Sequence, residues 1–214
     1  AEGGDWNPLK DLCAKAYMML AEDFELPAVK IFLEKTSPVG AGLGGGSADA
    51  AFALDMLNQL CGLGLSQQQL AVYASRLGSD CAFFVYNRPM IGEGRGEILA
   101  EYPLDDCFDF TGRDSSISEV ELRYQIQVIT PAGISVSTKD AYGGIRPHLP
   151  EIPLREALAR PVEEWDGVLV NDFEMTVFAK YPALKAIKRS LYDCGAVYAS
   201  MSGSGSALFA IYRK

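Results

Sequence analysis

Pro38-Val-Gly-Ala-Gly-Leu-Gly-Gly-Gly-Ser-Ala-Asp-Ala-Ala51 is the stretch on which the fold turns. Five of the seven residues from 40 to 46 are glycine, so few side chains keep a ligand away from the backbone. From Ala48 to Leu60 apolar residues recur at helical spacing, and Ser47 stands where a helix N-cap is expected. Bare amides at a helix N-terminus bind anions, most often phosphate, which points to a nucleotide. The Gly40-x-Gly42-x-x-Gly45 spacing also fits a dinucleotide fingerprint. That pattern wants an acidic residue about 20 positions on, after a second strand. Here Gly62-Leu-Gly-Leu-Ser66 and Gln67-Gln-Gln69 carry no carboxylate. A Walker loop is excluded because the chain contains no Gly-Lys pair.

Working outward, Asn7-Pro8 opens a helix whose apolar face is Leu9, Leu12, Cys13, Ala16, Tyr17 and Leu20. Val29, Ile31 and Leu33 alternate as in a strand leading into the loop. Ser66 and Gln69 form a capping box for a third helix, which Gly78 ends after Leu77. Met90–Glu93 and Glu97–Tyr102 flank Gly94-Arg95-Gly96 as a hairpin. Asp105–Glu121 is polar and acidic, with Thr111-Gly-Arg-Asp-Ser-Ser116 at its centre, and reads as a linker or insertion between domains 1–115 and 116–214. Beyond it come a strand at Tyr124–Thr130 and helices near Pro153–Ala159, Asp172–Lys180 and Pro182–Tyr192. Two closing strands, Ala196–Ser200 and Ala207–Tyr212, are joined by Met201-Ser-Gly-Ser-Gly-Ser206. Helices and hairpins without regular βαβ alternation give an α+β class.

The 214 residues carry a net charge of −9, which disfavours nucleic acid and anionic membrane surfaces as partners. Five scattered cysteines, without metal-ligand spacing, suit reduced thiols in a cytoplasmic protein, and no side-chain set for a resident metal is evident. No apolar run reaches membrane-spanning length and no signal peptide is visible. His148, in Arg146-Pro-His-Leu-Pro150, reads as a loop residue. Cys81, followed by Ala82-Phe83-Phe84, reads as a buried and inert thiol.

Pro38–Ala51 resembles the second signature of the GHMP small-molecule kinases. Leu77-Gly-Ser-Asp-Cys-Ala-Phe-Phe84, Glu93-Gly-Arg-Gly-Glu-Ile98 and Met201–Ser206 are similar, in order and spacing, to three further segments of that family. The triple glycine before Ser-Ala-Asp-Ala-Ala is most similar to the branch acting on 4-diphosphocytidyl-2-C-methyl-D-erythritol, an isoprenoid precursor of the non-mevalonate route. Homoserine- and mevalonate-acting members usually read Gly-Leu-Gly-Ser-Ser-Ala instead.

The resemblance implies a two-domain α+β fold, with an N-terminal domain like ribosomal protein S5 domain 2 and a ferredoxin-like C-terminal domain. It further implies ATP and Mg²⁺ as cofactors, a small-molecule acceptor, and a monomer or homodimer. Asp80 would be the catalytic carboxylate. Pro38, Val39, Gly40, Ala41, Gly42, Leu43, Gly44, Gly45, Gly46 and Ser47 would hold the nucleotide, with Lys35 and Val39 toward adenine. Thr138 and Tyr142 would contact the cytidine, and Gly203 and Ser204 would lie near phosphates and substrate. Ser47 remains open between cap, phosphate donor and Mg²⁺ contact; Lys35 between adenine contact and solvated strand end; Tyr142 between pyrimidine face and packing aromatic.

Departures are also legible. Asp11-Leu12 stands where the family usually has Asn-Leu, and Asp109–Glu119 is longer than the usual connector. Family members carry a segment of several dozen residues ahead of the first helix, with the first strands, a lysine and a Tyr-His pair. The expectation is therefore a trimmed enzyme with little activity of its own, or a nucleotide-binding module without chemistry.

Overall fold

The computed structural model describes residues 7–35, 38–94, 96–102, 108–110, 123–146 and 148–214. The chain forms two compact units. One comprises Ala1–Val39 with Gly44–Pro103, and the other Gly40–Leu43 with Leu104–Lys214. Helices and mostly antiparallel strands make an α+β fold. The domain boundary expected at 115/116 lies outside the described residues.

In the first unit, α1 (Leu12–Asp23), α2 (Gly45–Leu60), α3 (Gln67–Leu77) and α4 (Cys81–Tyr86) pack together beside a hairpin of β1 (Met90–Glu93) and β2 (Ile98–Glu101). Ala16, Leu20, Ala50, Leu54, Leu57, Leu70, Ala74 and Cys81 form its core. The fully buried Leu20 and Leu54 each contribute about 1.5–3 kcal/mol by leaving water. The Ser66–Gln69 capping box forms as its spacing predicts: Gln69 N–H donates to Ser66 Oγ, and Ser66 N–H donates to Gln69 Oε1. Gly78 ends α3 as expected.

Three expectations are corrected here. Asn7-Pro8 opens only a short 3-10 turn, Pro8–Lys10, and α1 starts after Asp11, whose carboxylate accepts from Cys13 N–H at 2.8 Å. Ser47 does not cap α2; Gly44 does, with a left-handed backbone, because the chain must turn sharply out of the loop. Residues 29–33 make no strand: no described segment pairs with them, and Phe32 is 90% exposed. Alternation alone cannot make a strand without a ladder partner.

The second unit is built on a sheet of order β3-β4-β6-β5, with β3 Phe108–Phe110, β4 Tyr124–Ile129, β5 Tyr198–Met201 and β6 Leu208–Arg213. Only β3–β4 is parallel. β3 falls within the segment expected to be a linker, so part of that stretch is paired; residues 111–122 lie outside the description. Side chains of β6 alternate between two cores. Leu208, Ala210 and Tyr212 pack with Val177, Leu184 and Leu191, from α7 (Phe173–Lys180) and α8 (Pro182–Asp193). Phe209 and Ile211 pack with Val162, Trp165 and Tyr198. Two short helices not anticipated in this detail, α4 in the first unit and α5 (Thr138–Gly144) here, carry expected site residues. The helix expected near Pro153 is α6 (Leu154–Leu158). Among the described residues, no helix is long and apolar enough to cross a membrane.

Candidate active site

At the start of α2, Gly44 sits at φ 68°, and a Cβ there would lie 2.6 Å from the ring of Phe84 on α4. Both the dihedral and the close aromatic demand glycine. Gly45 and Gly46 are exposed, and a Cβ on either would meet nothing within 4 Å. The first helical hydrogen bond is Ala48 N–H to Gly44 O at 2.9 Å. The N–H groups of Gly45, Gly46 and Ser47 therefore have no acceptor inside the helix, and the helix dipole adds partial positive charge there. This is an open anion-binding geometry.

Ser47, in that first turn, lies near the Cys81 thiol at the start of α4. Cys81 packs in the core with Ala50 and Leu54 of α2, and Phe84 stands against Gly44, so α2 begins close to the helix that Asp80 precedes. Asp80 is exposed, and its carboxylate makes no capping bond to α4. The β1–β2 turn approaches it: a Cβ on Gly96 would stand 3.8 Å from Asp80 Oδ1. An exposed carboxylate thus lies in the same neighbourhood as an open helix N-terminus.

Lys35 is engaged. Its ammonium donates to Asp49 Oδ2 of α2 at 2.6 Å and lies 3.8 Å from Asp11 Oδ2. The Asp49 hydrogen bond raises its pKa and keeps it charged. Pro38 is exposed, and Val39 is 78% exposed.

In the second unit, Gly40–Leu43 interlocks with the C-terminal glycine turn. Ala207 N–H donates to Ala41 O at 2.8 Å, and the Ser202 hydroxyl donates to Gly42 O at 2.9 Å. Ala41 is buried by this contact, while Gly40 stays exposed near Ser135. Gly203 and Ser204 form the apex of the turn. Thr138 opens α5, and Tyr142 leaves it 65% exposed, its ring meeting only the Phe173 ring edge-to-face at 4.9 Å among the described aromatic contacts. An exposed ring of this kind offers a stacking face.

Two residues escaped the sequence reading. Asn171 donates from Nδ2 to Met201 O at 2.7 Å and Gly203 O at 2.8 Å, while its Oδ1 accepts Phe173 N–H. Glu174, buried, accepts from Met201 N–H and the Ser200 hydroxyl and pairs with Lys188 at 2.6 Å. Their partners in the C-terminal turn and the strand before it lie 26 to 32 residues away in sequence, beyond the reach of any local pattern. His148 is an exposed loop residue, as expected.

The buried thiols are chemically quiet. Burial, then a hydrogen bond to Asp11, pushes Cys13 up to about 12, and burial also raises Cys81. A raised thiol pKa leaves less thiolate at a given pH, and thiolate is the nucleophile. Among the described cysteines, we expect iodoacetamide at pH 8 to modify the exposed Cys194 first and to leave Cys13 and Cys81 untouched until the fold is opened by denaturant. Peptide mass spectrometry over time reads this directly; early labelling of Cys13 would contradict the burial.

Comparison with known proteins places these elements. The model of the GHMP kinases N terminal domain matches residues 11–88, and that of the GHMP kinases C terminal matches residues 154–214. The chain is 47% identical over 206 residues to the 4-diphosphocytidyl-2-C-methyl-D-erythritol kinase of Bacteroides thetaiotaomicron, covering 96% of this chain and 69% of that protein. It is 45% identical to the kinase of the same name from Bacteroides fragilis, with the same coverage. A crystal structure of a 4-(cytidine 5'-diphospho)-2C-methyl-D-erythritol kinase superposes with a TM-score of 0.72 at 29% identity, covering 97% of this chain and 70% of that one. With an open glycine-led helix start, a carboxylate beside it and both halves matched, the chain belongs to the GHMP kinase family.

Proposed function

We infer that this chain transfers the γ-phosphoryl group of ATP to the 2-hydroxyl of 4-diphosphocytidyl-2-C-methyl-D-erythritol, a step of non-mevalonate isoprenoid precursor synthesis. The substrate assignment is supported by relatives of that name at 47% and 45% identity. The chemistry rests on one observation: Asp80, exposed and making no side-chain capping bond, precedes α4, whose Cys81 and Phe84 pack against the start of α2.

In this reading Gly40, Ala41, Gly42, Leu43, Gly44, Gly45, Gly46 and Ser47 hold the phosphate chain through backbone N–H groups, while Lys35, Pro38 and Val39 border the adenine. Phosphoryl transfer asks mainly for positioning and charge stabilisation. Asp80 takes the acceptor's hydroxyl proton as the hydroxyl oxygen bonds to phosphorus and the bond to the ADP oxygen breaks. Mg²⁺, when bound, would neutralise phosphate charge; it takes few protein ligands, and the Ser47 hydroxyl at the helix start is an oxygen that could face it. Thr138 and Tyr142 take the cytidine, with stacking on Tyr142 worth about 1–3 kcal/mol. Gly203 and Ser204 contact the phosphate-bearing part of the substrate. The enzyme works in the cytoplasm as a monomer or homodimer.

A coupled ADP-release assay on the protein at its full natural length, offered the cytidyl methylerythritol, homoserine or mevalonate in parallel, tests the assignment. Turnover is expected with the first alone. Turnover confined to another acceptor would replace the substrate and keep the kinase chemistry. Nucleotide binding without ADP release on any acceptor would favour a binding module.

A further inference from the structure

We propose that Asn171 is a positioning residue that locks the Gly203–Ser204 peptide plane so that the Ser204 N–H, rather than the Gly203 carbonyl, faces a phosphate-bearing ligand. The proposal deepens the reading above and rests on it for the presence of that ligand. Its geometry lies wholly within the second unit.

The Asn171 amide nitrogen holds two carbonyls of one turn, Met201 O at 2.7 Å and Gly203 O at 2.8 Å. The peptide from Gly203 to Ser204 is trans, so its C=O and N–H point in opposite directions. Fixing Gly203 O on Asn171 therefore directs the Ser204 N–H away from Asn171. The neighbouring peptide obeys the same rule: Met201 O is on Asn171, and Ser202 N–H donates to Ala207 O at 2.8 Å. The one remaining carbonyl of the turn's first half, Ser202 O, is taken by Gly205 N–H at 3.0 Å. Acceptors are thereby folded into the protein.

A lock is needed because the residue it controls is glycine. Gly203 sits at φ 52° and has no Cβ to resist rotation of the following peptide. A flipped plane would present a carbonyl oxygen to a phosphate, which repels it. Glu174 fixes the strand entering the turn separately, through Met201 N–H at 2.8 Å, so loss of the Asn171 amide would release the 203–204 plane while leaving the strand held.

The Asn171→Asp variant separates the two jobs of this side chain. A carboxylate still accepts Phe173 N–H at the start of α7, where a negative charge is favourable, but it cannot donate to Met201 O and Gly203 O. The expected result is a fall in kcat/KM of about a hundredfold, the scale of one lost charge-stabilising donor, with the melting temperature nearly kept. Varying ATP and the cytidyl acceptor separately shows which phosphate chain the amide serves, since only that ligand's KM rises strongly. Asn171→Ala, lacking both functions, should be impaired at least as much. Impairment of the alanine variant alone, or an aspartate variant within about threefold of the parent, would assign Asn171 to helix capping and overturn the lock. A second readout needs neither turnover nor a stable variant: ¹⁵N NMR of the Ser204 amide during titration of the unmodified protein with inorganic triphosphate. A shift at Ser204 is expected. A silent Ser204 would sink the lock, whereas an inactive protein whose Ser204 still responds would sink only the kinase assignment.

Discussion

Asp80→Asn is expected to lower kcat by about 10²–10⁴, the usual contribution of a positioned general base, while KM for ATP changes little. The carboxylate is exposed, makes no capping bond to α4, and lies beside the β1–β2 turn. Folding therefore has little stake in it, and the variant should melt with the parent. Single-turnover phosphoryl transfer, measured with saturating ATP and acceptor, isolates the step. An Asp80→Asn protein with undiminished transfer would remove the proposed base, and one that unfolds early would mean that the side chain serves structure instead.

Gly42→Ala carries the second large effect, this time on stability. Gly42 lies at φ 76°, and a Cβ there would collide with the Ser202 carbonyl and stand 2.9 Å from both the N and O of Gly205. These are backbone atoms of a turn already fixed by Ala207 and Ser202, so they cannot step aside as a flexible side chain would. Left-handed strain of about 1–2 kcal/mol adds to an overpacking cost of about 1–3 kcal/mol. A loss of roughly 2–5 kcal/mol is expected in urea unfolding, with activity lost in step. Gly46→Ala is the contrast. It is helical and its Cβ would meet nothing within 4 Å, so stability should hold or rise by a few tenths of a kcal/mol while nucleotide affinity falls. Equal destabilisation at both positions would refute the division between a packed glycine and a binding glycine.

That division was invisible in the string of glycines. Local patterns with short-range causes were legible: the Ser66–Gln69 box, the stop at Gly78, the hairpin at Met90–Glu101, the strands at Tyr124–Ile129 and Leu208–Arg213, and helices at Phe173–Lys180 and Pro182–Asp193. Where the reading missed, a neighbour distant in sequence had decided the matter. Ser47 yielded the cap to Gly44, where the chain turns with a left-handed backbone against the Phe84 ring, 40 positions on. Residues 29–33 alternate like a strand yet pair with no described segment. Lys35, left open in the sequence between adenine contact and solvated strand end, is held by Asp49 and Asp11.

By itself the sequence determined the α+β class and the family, because glycine content, helical periodicity and motif spacing are properties of contiguous residues. Only the tertiary structure decided which glycines are packing requirements and which are open, that Asp80, at the N-cap of α4, makes no side-chain capping bond, and that Asn171 and Glu174 hold the C-terminal turn. Those outcomes depend on excluded volume and on hydrogen-bond partners supplied across tens of residues, and such partners exist only once the chain has folded.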